Sequence, residues 1–114
     1  MKSLSLNREA SCLEEIMEFE RTRTWRKRSA LIKRRDGYEC QRCKRFGRHI
    51  AAEHVHHILP IEYYPEYRLE GWNLISLCKN CHNKMHDRDS HELTEEGNKL
   101  ARETARRQGI PWMR

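Results

Sequence analysis

Apolar residues in the first third of the chain recur at helical spacing. Leu13, Ile16, Met17, Trp25, Leu31 and Ile32 fall on one broad stripe with Phe19 off it, and the pattern predicts a helix over residues 8–35. Ser11 with Glu14 reads as a capping box, and Gly37 as the stop. The first half of this helix carries Glu9, Glu14, Glu15, Glu18 and Glu20. The second half carries Arg21, Arg23, Arg26, Lys27, Arg28, Lys33, Arg34 and Arg35. Acid-first order suits the helix dipole and also offers a phosphate a basic surface, and both readings stand. Loose alternation from Ala51 to Ile58 predicts a strand closed by Pro60, and Asn73 to Leu77 a second strand. Between them lies a loop rich in Tyr, Pro and acids. A helix starts near His82 and reaches about Asp87; a last one, capped by Thr94, spans 94–108 and stops before Gly109 and Pro111. No repeat or low-complexity linker intervenes, so a single domain over residues 1–114 is expected, with its central unit at 38–87.

Composition sharpens this picture. Of 114 residues 35% are charged and 37% hydrophobic, too little apolar material for a self-sufficient core, and metal staples are a common reinforcement. No apolar run approaches the ~18–20 residues of a membrane span. The start, Met1 to Glu9, is too short and too soon charged for a signal peptide, so neither a membrane nor a secreted protein is expected. The formal charge of +6 suits a polyanionic partner.

Five cysteines sit at 12, 40, 43, 78 and 81, and four of them form two Cys-x2-Cys pairs. An odd count without an export signal argues against a disulfide framework. Two such pairs can supply Cys40, Cys43, Cys78 and Cys81 as the tetrahedral thiolates of a structural zinc site. A finger of two cysteines and two histidines fails, because the His56 spacing is followed by Pro60, Ile61 and Glu62 rather than a second His. A redox Cys-x2-Cys would occur once, near a βαβ pattern, and none is visible. Zinc binding of about 10–16 kcal/mol rivals the stability of a whole small domain. The 34 residues between Cys43 and Cys78 exceed a simple ribbon's spacing, so something is inserted there.

That insert holds His54, His56 and His57, and His82 and His86 follow the second pair. The i, i+4 spacing puts His82 and His86 on one helical face, able to grip one metal ion. A third ligand from a neighbouring strand would leave positions open for water or substrate, the layout of a catalytic site.

Val55-His56-His57-Ile58, Asn73-Leu74 and Cys78-x2-Cys81-His82-x3-His86 resemble the HNH nucleases with a ββα-metal fold, in their zinc-containing branch. From about Trp25 to about Asp87 the chain is similar to small phage-encoded HNH endonucleases. Leu93-Thr94-Glu95-Glu96-Gly97 resembles them more weakly. The resemblance implies an α+β fold: a small ββα-metal core with a four-cysteine structural zinc site, flanked by N-terminal and C-terminal helices.

It further implies a metal-dependent DNA endonuclease, nicking or cutting both strands. His57 would be the general base; Asn73 would accept its Nδ1 proton or hold the ring by an equivalent bond. His56, His82 and His86 would hold one divalent cation. Many relatives carry Asp where His56 stands, so this softer all-imidazole set points to Mn²⁺, Ni²⁺ or Zn²⁺ over Mg²⁺. Since adjacent strand residues face opposite ways, His56 and His57 share a site only if the strand twists or ends there. Arg42, Lys44, Arg45 and Arg48 beside the first knuckle, with Arg34 and Arg35, are the expected contacts to double-stranded DNA. Arg102, Arg106 and Arg107 add charge on the last helix. His54 reads as a structural or DNA-facing residue, Trp25, Trp72 and Trp112 as packing residues, and Cys12 as an inert thiol. Family analogy adds the host cytoplasm and work beside terminase subunits in genome packaging. The rival reading is a non-catalytic zinc module that binds DNA or protein.

Overall fold

The computed structural model describes residues 14–112. The proposed helix start, the Ser11 cap and Cys12 lie outside them. Residues 14–20 are helical, a turn follows at Arg21 and Thr22, and helix α1 then runs Arg23–Arg35. The single long helix expected from the apolar stripe is therefore two. The break is local chemistry: the Thr22 hydroxyl accepts from the Trp25 N–H at 3.1 Å and donates to the Phe19 carbonyl at 2.6 Å, so it caps a new helix instead of continuing the old one.

Helix α2 (Gln41–Arg45) belongs to the first cysteine turn. Strand β1 (His54–His57) pairs antiparallel with β2 (Leu74–Leu77), His54 opposite Leu77 and His57 opposite Leu74. β1 is shorter than the alternation predicts; Ala51 makes only an isolated bridge to Glu39. Helix α3 (Lys79–Asn83) follows the second cysteine turn, and α4 (Glu95–Gln108) closes the described chain. Thr94 caps α4 by accepting from the Gly97 N–H, and Gly109 ends it at φ 68, a conformation glycine adopts without a Cβ clash.

Three small clusters replace one large core. Trp25 and Ile32 of α1 pack on Val55 and Leu74. Leu77 and Met85 surround the four cysteines. Ile58, Leu59 and Tyr64 of the β1–β2 connection pack against Leu93, Ala101 and Ala105. Arg35 locks α1 to the hairpin, donating to the carbonyls of Gly71 at 2.8 Å and Leu74 at 2.7 Å and pairing with Asp36. Asp36 in turn accepts from the Ser76 N–H at 3.0 Å. Burial works against its carboxylate, but the bonds from Arg35 and Ser76 outweigh it and hold the group below the usual range.

Candidate metal centres and active site

Cys40 and Cys78 each cap a short helix, their sulfurs accepting from the N–H of Cys43 and Cys81. The two turns bring four buried thiols together, Cys43 lying 3.8 Å from Cys78 and 3.7 Å from Cys81, sulfur to sulfur. A tetrahedral ion with sulfur ligands at about 2.3 Å sets its ligands about 3.8 Å apart, so the cluster has the dimensions of a zinc–thiolate centre. Burial opposes the Cys40 thiolate, yet the N–H groups of Cys43 and Cys78 bring it down to about 7. Burial and the neighbouring thiols push Cys43 and Cys81 up. So many thiolates can share this volume only around a cation.

The second group is His56, His82 and His86, whose ligating nitrogens all lie within 4.8 Å of one another. Their rings meet edge to face, with centroids 5.5 Å apart for His56–His82, 5.1 Å for His56–His86 and 5.5 Å for His82–His86. His82 and His86 do not share a helical face as their spacing predicts. Helix α3 ends at Asn83, the Met85 N–H turns back to the His82 carbonyl, and His86 forms a bridge with Leu93. The imidazoles converge through that turn instead. His86 Nδ1 lies 3.3 Å from the His91 carbonyl, which leaves Nε2 for a cation.

The donor set fits a divalent ion. His56 is 1% exposed, and its Nε2 is buried without a hydrogen-bond partner. An orphaned imidazole nitrogen facing two further imidazoles is costly unless something binds there. Burial, then the neighbouring rings of His86 and His82, hold His56 well below its usual value. Burial, then His54 and His86, bring His82 to about 4. Neutral rings offer the lone pairs that ligation needs.

His57 faces the other way. Its ring stacks on Trp25 at 4.6 Å, with Phe19 at 6.3 Å, and Nε2 lies 3.0 Å from the Arg68 carbonyl. Burial depresses it to about 4, the Arg68 bond pulling in the opposite direction. Asn73 makes no bond to His57, contrary to the sequence expectation. It is fully buried and clamps the β1–β2 connection: Oδ1 accepts from the Leu59 N–H at 2.7 Å, and Nδ2 donates to the carbonyls of Tyr67 at 3.1 Å and Leu59 at 3.3 Å. The reason is register. Asn73 directly precedes β2 and its carbonyl already holds the Ile58 N–H, so its side chain meets the turn backbone rather than the ring.

Of the expected DNA contacts, Arg34, Lys44, Arg45 and Arg48 are exposed and without an ion pair among the described residues. Arg35 is the strut described above, and Arg42 pairs with Glu96 at 2.7 Å. His49 is bound to Glu39. Sequence reasoning missed two contacts. His54 stacks on His82 at 4.7 Å, and only its even spacing from His56 hinted that both lie on one strand face. The Arg68 carbonyl, being backbone, left no signal at all.

Residues 40–88 match the family HNH endonuclease. The crystal structure of the deep-sea thermophilic bacteriophage GVE2 HNH endonuclease with manganese ion is similar, at 31% identity and a TM-score of 0.61. That similarity covers 66% of this chain and 82% of the other. No curated protein sequence matches the chain. An antiparallel hairpin and a following helix, bracketed by a four-cysteine cluster, define a small metal-binding α+β nuclease. The chain belongs to the HNH endonuclease family, and is thus a DNA-cleaving hydrolase.

Proposed function

We propose that the chain hydrolyses DNA phosphodiester bonds by a one-metal route with His57 as general base. The convergence of His56, His82 and His86 on one point, with the orphaned His56 Nε2, carries this reading. His56, His82 and His86 would hold a divalent cation, which would supply stabilisation for the negative charge that develops on the phosphate and the leaving group. Three imidazoles favour Mn²⁺, Ni²⁺ or Zn²⁺ over Mg²⁺, and the four-cysteine cluster holds a structural Zn²⁺.

The chain's own residues supply the rest. With its Nε2 proton donated to the Arg68 carbonyl, His57 keeps the Nδ1 lone pair for the attacking water. A ring depressed to about 4 is neutral at pH 7 with its lone pair free, and an approaching phosphodiester raises its basicity. Asn73 is a positioning residue that fixes the connection carrying Arg68. Arg34, Lys44, Arg45 and Arg48 meet backbone phosphates. The bacteriophage relative supports a setting in the host cytoplasm, where terminase subunits would be partners in packaging.

Supercoiled plasmid tests the reading. Protein freed of loosely bound metal gains cleavage only with added cation, and nicked versus linear product separates single-strand from double-strand cutting. His57→Ala lowers the rate by roughly 10²–10⁴-fold with plasmid binding retained. A His57→Ala protein as active as wild type removes the base assignment.

A further inference from the structure

Resting on the nuclease reading and deepening it, we propose that the tip of the first cysteine knuckle is a DNA-docking element whose exposed Phe46 inserts as an apolar wedge into a base step. Single exposed apolar side chains are ordinary on any surface. Here three of the five large hydrophobic side chains exposed among the described residues fall between positions 38 and 50: Tyr38 at 61%, Phe46 at 70% and Ile50 at 44%. The unit that carries them is firmly tethered. The carbonyl of Cys43, a buried member of the four-cysteine cluster, accepts from both the Phe46 and the Arg48 N–H at 3.0 Å. Gly47, at φ 76, makes the reversal between them. Phe46 is thus presented on a fixed turn, with little ordering left to lose on contact.

Charge identifies the occupant. Lys44, Arg45 and Arg48 flank Phe46, all exposed, none with an acidic partner among the described residues. The one acid between positions 38 and 50 is Glu39, and it is engaged by His49 Nδ1 at 2.7 Å. An apolar side chain flanked by unpaired cations matches a duplex, whose phosphates lie on either side of a stacked, apolar interior. A protein partner would need acidic groups to neutralise three cations around so small an apolar tip. The substrate of an HNH endonuclease, DNA, is a polyanion of this kind.

The test uses the full chain carrying His57→Ala, loaded with zinc and titrated onto labelled duplex DNA by fluorescence anisotropy. Energy transfer between labels at the duplex ends reads the bend. Phe46→Ala weakens binding about tenfold and abolishes the bend, with the salt dependence unchanged; Phe46→Leu, still an apolar wedge, retains most of both. Replacing Arg45 and Arg48 by Ala leaves the bend but reduces the slope of log affinity against log salt by about 0.9 for each lost phosphate contact. The proposal is overturned if Phe46→Ala binds and bends DNA like its parent, as a tip serving a protein partner would, or if the parent does not bend DNA. Wild-type plasmid cleavage, measured alongside, reads the nuclease separately: cleavage with an indifferent Phe46→Ala removes only the wedge, and loss of both cleavage and binding removes both readings.

Discussion

Replacing Asn73 by Ala distinguishes a residue that holds the active-site loop from one that acts on His57 or substrate. Asn73 and Leu59 are both at 0% exposure, so no water replaces what is removed. The Leu59 N–H loses its acceptor at 2.7 Å, and an unsatisfied buried donor costs about 1–3 kcal/mol. The carbonyls of Leu59 and Tyr67 lose their shared donor, at about 1 kcal/mol for each bond. The sum is about 3–5 kcal/mol, which in a domain of this size lowers the melting temperature by about 15 °C or more. Asn73→Asp keeps the acceptor for Leu59 but turns a carboxylate oxygen toward the Tyr67 carbonyl, and melts no higher than Asn73→Ala. Cleavage, measured well below each melting transition, falls in both because the Arg68 carbonyl loses its fixed place against His57. Thermal melting followed by circular dichroism, paired with plasmid cleavage, is the assay. An Asn73→Ala protein that melts like wild type yet fails to cleave would refute the clamp and return the side chain to direct chemistry.

Other perturbations separate the remaining parts. In Gly97→Ala the new Cβ would fall inside contact distance of the Met85 carbonyl and 2.9 Å from Leu93 Cδ2, pushing α4 off the segment that carries His86. It costs about 1–3 kcal/mol and weakens divalent-cation binding by calorimetry, and unchanged cation affinity would uncouple the bridge from the centre. Arg35→Ala costs about 2 kcal/mol through its lost carbonyl bonds, without changing the salt dependence of DNA binding; a reduced slope would put Arg35 back in the DNA interface. His57 and His82 are both depressed to about 4, so the unfolded chain takes up protons between pH 6.5 and 4 that the folded chain resists. Their stabilisation is therefore full above pH 6.5 and lost as pH falls through about 4. In protein without added cation, His57→Gln flattens the fall of stability over that window by up to about 1.4 kcal/mol per pH unit, and an equally steep fall would deny His57 its share.

What could be read from the chain alone was whatever depends on order and spacing. Two Cys-x2-Cys pairs around a histidine-bearing insert point to metal sites by spacing alone, and the α+β class comes with the resemblance to HNH nucleases that those motifs carry. What escaped reading was where competing local bonds win. Apolar spacing carries a helix through Thr22, but a hydroxyl that can bond both the Phe19 carbonyl and the Trp25 N–H breaks it there. The His82-x3-His86 spacing fits a helical face, yet the Met85 N–H closes a tighter turn and His86 leaves the helix. Arg35 reads as a free cation because the carbonyls it serves, Gly71 and Leu74, lie more than thirty residues away. The partner of His57 is a carbonyl, a group every residue has, so no sequence pattern could distinguish Arg68.

The alternation of β1 divides the centre in two. His56 turns toward the α3 side and joins His82 and His86, while His57 turns toward Trp25 and the β1–β2 connection. If His56, His82 and His86 hold a cation as proposed, its affinity depends on the His86–Leu93 bridge and the seat of α4. The proposed base, His57, is instead held by Trp25 of α1 and by the β1–β2 connection that Asn73 clamps. The two half-sites adjoin at the end of the strand, where His57 is its last residue and still feels the charge of His86. In the proposed mechanism, a phosphodiester would reach both groups at that end. Because the proposed cation and base act on one transition state, losing both should cost catalysis less than the sum of the two single losses, and strictly additive losses would argue that they act independently.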